Sequence, residues 1–226
     1  MKILIIEDQI DLLHSIQDAL SQENFNCETA DTKKKAEYKI YTFEYDILIV
    51  DINLPDGSGL EIVKQMKRLN SRVGIMIISA RNAIDQKIEG LELGADDYIT
   101  KPFDMAELIA RVKSLIRRRL FNGEETVNFG NITINTSKRE VYVDEQLVEL
   151  TKSEYQILLF FFSNPNRVIS KETLAEHIWG DHMDISDSYD FIYSHMKNLR
   201  KKIVSKNVDD PIKVIYGIGY KFETNR

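Results

Sequence analysis

The stretch YDILIVDINLPDGSG occupies residues 45–59. Ile47, Leu48, Ile49 and Val50 form an unbroken apolar run, which suits a strand buried on both faces. Asp51 follows at once with no basic residue beside it. Leu54, Pro55, Asp56 and Gly57 then turn the chain. A carboxylate at the end of a core strand stands where open parallel sheets bind their ligands.

Similar apolar runs cover 2–6, 74–78 and 97–99, with a weaker one at 26–30. Between them, apolar residues recur at spacings of three and four: Ile10, Leu13, Ile16 and Leu20; Leu60, Val63 and Met66; Ile84, Ile88 and Leu91; Leu108, Val112 and Leu115. Five strands alternating with helical stretches predict an α/β fold, a five-stranded parallel, doubly wound, flavodoxin-like sheet covered on both faces.

The pattern changes after Leu120. Residues 1–120 are expected to form one domain, 121–127 a polar linker around Asn122-Gly123-Glu124-Glu125, and 128–226 a second domain. That second part has short strands over 131–143 and 146–150. A capping box, Thr151 with Glu154, precedes the apolar run 155–162. Asn164-Pro165-Asn166 ends that helix, and Ser170 opens another that runs to Trp179-Gly180. A third spans 188–205, and a hairpin turns at Gly217-Ile218-Gly219. Strands, three helices and a terminal hairpin predict an α+β winged helix-turn-helix.

A chain of 226 residues, 43% apolar, has room for two packed cores. The single cysteine, Cys27, excludes an internal disulfide and a cysteine-rich zinc site. The opening MKILIIEDQ is too short and acidic for a signal peptide, and the run 157–162 is too short to span a membrane. A soluble, cytoplasmic protein with no membrane partner is expected. The net charge of −6 does not advertise nucleic-acid binding, but residues 191–226 carry eight Lys/Arg against three Asp/Glu. A local basic segment can still bind phosphate.

The strand ends carry the chemistry. Glu7 and Asp8 follow the first strand, Asp51 ends the third, Ser79 the fourth, and Lys101-Pro102 follows the fifth. Clustered carboxylates repel one another unless a cation joins them. Mg2+ prefers oxygen donors and keeps positions for phosphate oxygens. A lysine and a hydroxyl nearby can bind the remaining phosphoryl oxygens. A carboxylate in such a set is suited to accepting a phosphoryl group.

In the second half, Tyr189, Ile192, Met196, Leu199 and Ile203 form a core stripe on one helix. Tyr193, Ser194, Lys197, Asn198 and Lys201 fall on the other side, with Arg200 at the border. This is either a solvated basic face or a recognition helix for a major groove. His195 has no second ligand spaced for a metal, so packing or a phosphate contact is expected of it. Tyr216 and Lys221 flank the hairpin turn, which would be the wing.

Glu7-Asp8, Asp51, Ser79-Ala80 and Lys101-Pro102 together resemble the receiver domain of a two-component response regulator. GADDYITKPF (94–103), ELIARV (107–112), LRKKI (199–203) and GIGYKF (217–222) resemble the OmpR/PhoB family. The resemblance covers nearly the whole chain. It implies a transcription factor, not a classical enzyme, whose receiver catalyses its own phosphoryl transfer and slow dephosphorylation. Asp51 would accept phosphate from a sensor histidine kinase. Asp8, Asp51 and the Asn53 carbonyl would hold Mg2+, with Glu7 acting through water. Lys101 and Ser79 would bind the phosphoryl group, and Tyr98 would turn inward as Ser79 moves. A homodimer face would pair Lys87 with Glu107, Asp97 with Arg111, and Asp96 with Arg118. Double-stranded DNA, and RNA polymerase beyond it, are the implied partners.

Two departures stand out. Tyr216 replaces the family's usual wing arginine, so contact with backbone or sugar is expected instead of shape reading. Asn198 replaces a usual arginine, which shifts the expected base preference from guanine toward adenine. Two alternatives remain at this point. A DNA-binding regulator blind to phosphate would not need Glu7, Asp8, Asp51, Ser79 and Lys101 intact. A phosphohydrolase would want an acid two residues after Asp51, where Asn53 stands.

Overall fold

The computed structural model describes residues 1–69, 73–80, 84–180, 190–204 and 210–223, excepting the side chains of 84–87. It divides into two units, Lys2–Arg119 and a second comprising Met1 with Leu120–Arg226.

In the first unit, β1 (Lys2–Ile6), β2 (Asn26–Ala30), β3 (Ile47–Asp51), β6 (Gly74–Ala80) and β7 (Asp97–Lys101) form one sheet in the order β2-β1-β3-β6-β7. Every pairing is parallel. A two-stranded β4 (Asn53–Leu54) and β5 (Gly57–Ser58) lies in the loop after β3. The helices are α1 (Ile10–Gln22), α2 (Lys33–Thr42), α3 (Gly59–Arg68), α4 (Ile84–Glu92) and α5 (Met105–Leu120).

The β1 and β3 residues are buried along their whole length, as expected of central strands with helices on both faces. On one face Leu4, Ile6, Leu48, Val50, Ile75 and Ile77 pack with Ala36 of α2 and with Leu60, Val63 and Met66 of α3. Each of the larger side chains contributes about 1.5–3 kcal/mol on burial. Helix α2 has little apolar periodicity and buries only Ala36 among its residues. Its start is set by Thr32, whose hydroxyl accepts from Lys35 N. Helix α3 begins against the end of β3. A Cβ on Gly59 would lie 2.0 Å from the Asp51 carbonyl oxygen, so only glycine lets the helix start there.

The second unit opens with β8 (Thr126–Phe129), β9 (Ile132–Asn135), β10 (Glu140–Val143) and β11 (Gln146–Leu147), an antiparallel sheet in the order β11-β10-β9-β8. Strand β8 therefore includes Thr126 and Val127, which the polar composition places in the linker. Val127 pairs with Ile134, and Phe129 packs edge-on against Phe162 at 4.3 Å, which draws this stretch into the sheet. Helix α6 (Lys152–Ser163) starts at the complete capping box of Thr151 and Glu154, and all residues from Glu154 to Phe162 are buried. A helix apolar all round is a central one. Around it stand α7 (Lys171–Trp179), α8 (Asp190–Ile203) and a sheet of β12 (Val168–Ser170), β14 (Gly219–Phe222) and β13 (Ile212–Ile215). The expected helix over 188–205 is α8; residues 188, 189 and 205 lie outside the described residues.

Candidate functional sites

The first site lies beyond the carboxyl ends of β1, β3, β6 and β7. Asp51 is the last residue of β3 and is 4% exposed. Glu7 follows β1 and is fully buried, while Asp8 is exposed. One carboxylate oxygen from each of Glu7, Asp8 and Asp51 lies within 4.8 Å of the others. Lys101 ends β7, and its Nζ is 2.5 Å from Asp51 Oδ2 and 2.7 Å from Glu7 Oε2. Backbone donors fix the acids: Asn53 N donates to Asp51 Oδ1 at 3.0 Å, and Gln9 N to Glu7 Oε1 at 3.2 Å.

The electrostatics favour a cation. Burial pushes the Glu7 carboxyl above its ordinary value; the Lys101 bond opposes this and the Asp51 charge adds to it. Burial alone would lower Lys101, but its bonds to Asp51 and Glu7 outweigh that and raise it. One ammonium bonds two of the three carboxyl groups. Two buried donors and one exposed donor, all oxygen, fit a hard divalent ion that retains water.

Ser79 lies in β6, one residue past the position paired with Asp51, and opposite Thr100 of β7. It is fully buried, and its hydroxyl makes no hydrogen bond among the described residues. Tyr98 of β7 is buried too.

The second site lies on α8. Ile192, Met196, Leu199 and Ile203 are buried, and Tyr193, Ser194, Lys197, Asn198 and Lys201 are exposed. Tyr189 lies outside the described residues. Lys197 and Lys201 make no ion pair among the described residues. Two other basic groups are engaged internally: Arg200 with Asp210 at 2.5 Å, and Lys202 with the buried Glu154 at 2.7 Å. The His195 and Trp179 ring centroids lie 5.5 Å apart. Tyr216 stands at the hairpin tip, and Lys221 pairs with Glu223 at 3.0 Å.

Two family models match the chain: the response regulator receiver domain over residues 3–113, and the C-terminal domain of transcriptional regulatory proteins over 144–222. The response regulator ArlR of Staphylococcus aureus is 34% identical over 219 residues, covering 97% of this chain and 98% of ArlR. The chain belongs to the OmpR/PhoB family of response regulators. Among solved structures, a two-component response regulator from Clostridium difficile is similar over 52% of this chain and 97% of its own, at 29% identity and a TM-score of 0.50. DrrB of Thermotoga maritima, described as an OmpR/PhoB homolog, is 29% identical over 98% of both chains, with a TM-score of 0.49.

The regulator is thus a phosphorylation-dependent, DNA-binding transcriptional regulator of a two-component system, with a kinase and DNA as its partner classes. It is not a classical enzyme. No helix among its described residues is long and apolar enough to cross a membrane.

The charges on β7 and α5 pair within this one chain. Arg111 meets Asp97 at 3.1 Å and Glu107 at 2.8 Å. Arg118 meets Asp97 at 3.5 Å. Asp96 pairs with Arg119 at 2.6 Å within the chain and accepts from Ile75 N at 2.8 Å. The Lys87 side chain lies outside the described residues. Arg119 escaped the sequence reading because it ends a run of three arginines whose members composition cannot rank. Lys171 escaped as well. Its Nζ lies 4.4 Å from the Tyr193 ring centre and donates to the Tyr193 hydroxyl, on the exposed face of α8.

Proposed function

We propose that Asp51 is the phosphoacceptor of the regulator. A carboxylate oxygen of Asp51 attacks the phosphorus of a phosphohistidine on the sensor kinase. A P–O bond forms and the P–N bond breaks, its electron pair leaving on the imidazole nitrogen. The single observation that carries this reading is the Lys101 ammonium held between Asp51 and Glu7. There it can neutralise charge on a phosphoryl oxygen as transfer proceeds. Asp8, Asp51 and the Asn53 backbone carbonyl would hold Mg2+, with Glu7 acting through water. When bound, the ion supplies the positive charge that phosphoryl oxygens and carboxylates share. The receiver also hydrolyses its own acyl phosphate slowly.

Ser79 carries a buried donor with no protein acceptor among the described residues, suited to a new phosphoryl oxygen. Its movement leaves room that Tyr98 fills. The face of Lys87, Asp96, Asp97, Glu107, Arg111 and Arg118 then forms a symmetric homodimer in which Arg111 and Asp97 exchange partners across the two-fold axis. Residues 1–120 act as receiver and 121–127 as tether to the DNA-binding part, 128–226. Two tethered winged helices bind adjacent half-sites in the cytoplasm, raising effective concentration, and RNA polymerase is the downstream partner. Ser194, Lys197, Asn198 and Lys201 face the major groove. Arg200 lies at its margin, and the wing residues Tyr216 and Lys221 meet the backbone or sugars beyond it.

Incubation with a small phosphodonor and Mg2+ should label the wild type and not Asp51→Asn, with the labelled fraction enriched in dimer. Labelling of Asp51→Asn at the wild-type rate would overturn the assignment.

A further inference from the structure

The hairpin of β13 and β14 ends in an unusual tip. Ile215 pairs with Gly219, and Ile218 N donates to Ile215 O at 3.0 Å, so the turn is closed by a hydrogen bond. Gly217 at its centre has φ +73°, which glycine adopts without strain. Two large side chains project from this fixed turn into solvent. Tyr216 is 98% exposed and Ile218 56% exposed. Neither carries a charge. Just behind them, Lys213 and Lys221 occupy directly opposed positions on the two strands. Like charges so placed repel, and the arrangement is relieved by an anion. Lys221 is partly answered by Glu223, while Lys213 makes no ion pair among the described residues.

An uncharged tip flanked by two cations is complementary to a narrow crevice walled by anions. The minor groove of duplex DNA has that form: phosphates on both walls, sugars and base edges between. We propose that Tyr216 and Ile218 form an uncharged wedge that enters the minor groove and opens one base step, with Lys213 and Lys221 against the flanking phosphates. This rests on the reading of α8 as the major-groove helix. A wedge of this kind selects by deformability. It favours pyrimidine–purine steps, TA and CA/TG, which unstack most readily, and it bends the duplex. The wing would then specify sequence at a step that no hydrogen bond reads.

The test uses the full chain with Mg2+ and a small phosphodonor, selecting from a duplex pool with a randomised core. Wild type should enrich a TA or CA step at a fixed offset from the bases chosen by α8. Tyr216→Ala and Ile218→Ala should keep those bases and lose the step. Tyr216→Arg should exchange the step for A-tracts, whose narrow groove attracts the guanidinium. On the duplex selected by wild type, Tyr216→Ala should weaken binding about tenfold, as loss of an aromatic stacking contact does. It should also reduce the bend and leave the salt dependence unchanged. Lys197→Ala should flatten that dependence. A step enriched equally by Tyr216→Ala, with an unchanged bend, overturns the wedge. Selection of no sequence by wild type overturns the reading of α8, and the wedge with it.

Discussion

Strand β1 has a buried charge cluster at each end, and the two are opposite in kind. At its start, Lys2 is fully buried and lies 2.8 Å from Glu28 Oε1. Glu28 Oε2 accepts from Lys39 at 2.9 Å and from the Tyr45 hydroxyl at 2.5 Å. The Lys2 ammonium also lies over the Phe43 and Tyr45 rings, at 4.5 and 4.8 Å. At the far end of β1, Glu7 and Asp51 share Lys101, and Asp8 stands beside them with its carboxylate. The first cluster has more donors than carboxylates and is saturated. The second has more carboxylates than cations and is not. Burial alone would raise the Glu28 carboxyl, yet its bonds from Lys2, Tyr45 and Lys39 hold it below its ordinary value; Glu7 is pushed above. Buried charge by itself does not mark a working site. An excess of carboxylates over cations does.

That contrast can be broken in order of expected effect. Glu28→Gln leaves Lys2 buried without a countercharge and should destabilise the receiver by about 3 kcal/mol in urea unfolding. A loss below 1 kcal/mol would mean the aromatic rings suffice. At the other end, Mg2+ should stabilise wild type by about 2.7 kcal/mol at a hundredfold excess over Kd. Thermal unfolding of Asp51→Asn should show little of this. Acid should separate the ends further. Glu28 titrates lower folded than unfolded, so its contribution is complete above the unfolded value and is lost as pH falls through the folded one. The stability gap between wild type and Glu28→Gln should therefore shrink across that acid window. Lys39→Ala removes a partner 22% exposed and should cost no more than about 1 kcal/mol.

The two ends also differ in how they show in the sequence. Asp51 and Glu7 are legible because each carboxylate interrupts an apolar run at a strand end, and parallel sheets gather such ends together. Lys2 and Glu28 are not. A lysine opening a strand reads as a solvated charge, and Glu28 lies in a strand whose alternation is weak. Their partnership depends on the register of β1 against β2, which periodicity does not supply. The same limit hides β8, whose apolar residues are recruited by Phe162 and Ile134 from elsewhere in the chain. The capping box of α6 is local and could be read directly. The pairing of Asp96 with Arg119 depends on where α5 ends beside β7, and that is tertiary information.

Gly59 carries a consequence for how the regulator can drift. Its missing side chain leaves α3 in van der Waals reach of the Asp51 backbone, with 2.0 Å where a Cβ would stand. A substitution there alters no group that takes part in phosphoryl transfer. It would still push the helix from the strand and tilt the carboxylate. A saturation scan of the receiver should thus find a silent neighbour position among the least permissive in the domain, and lineages diverging in signal and target alike would inherit the same single hydrogen atom at that place.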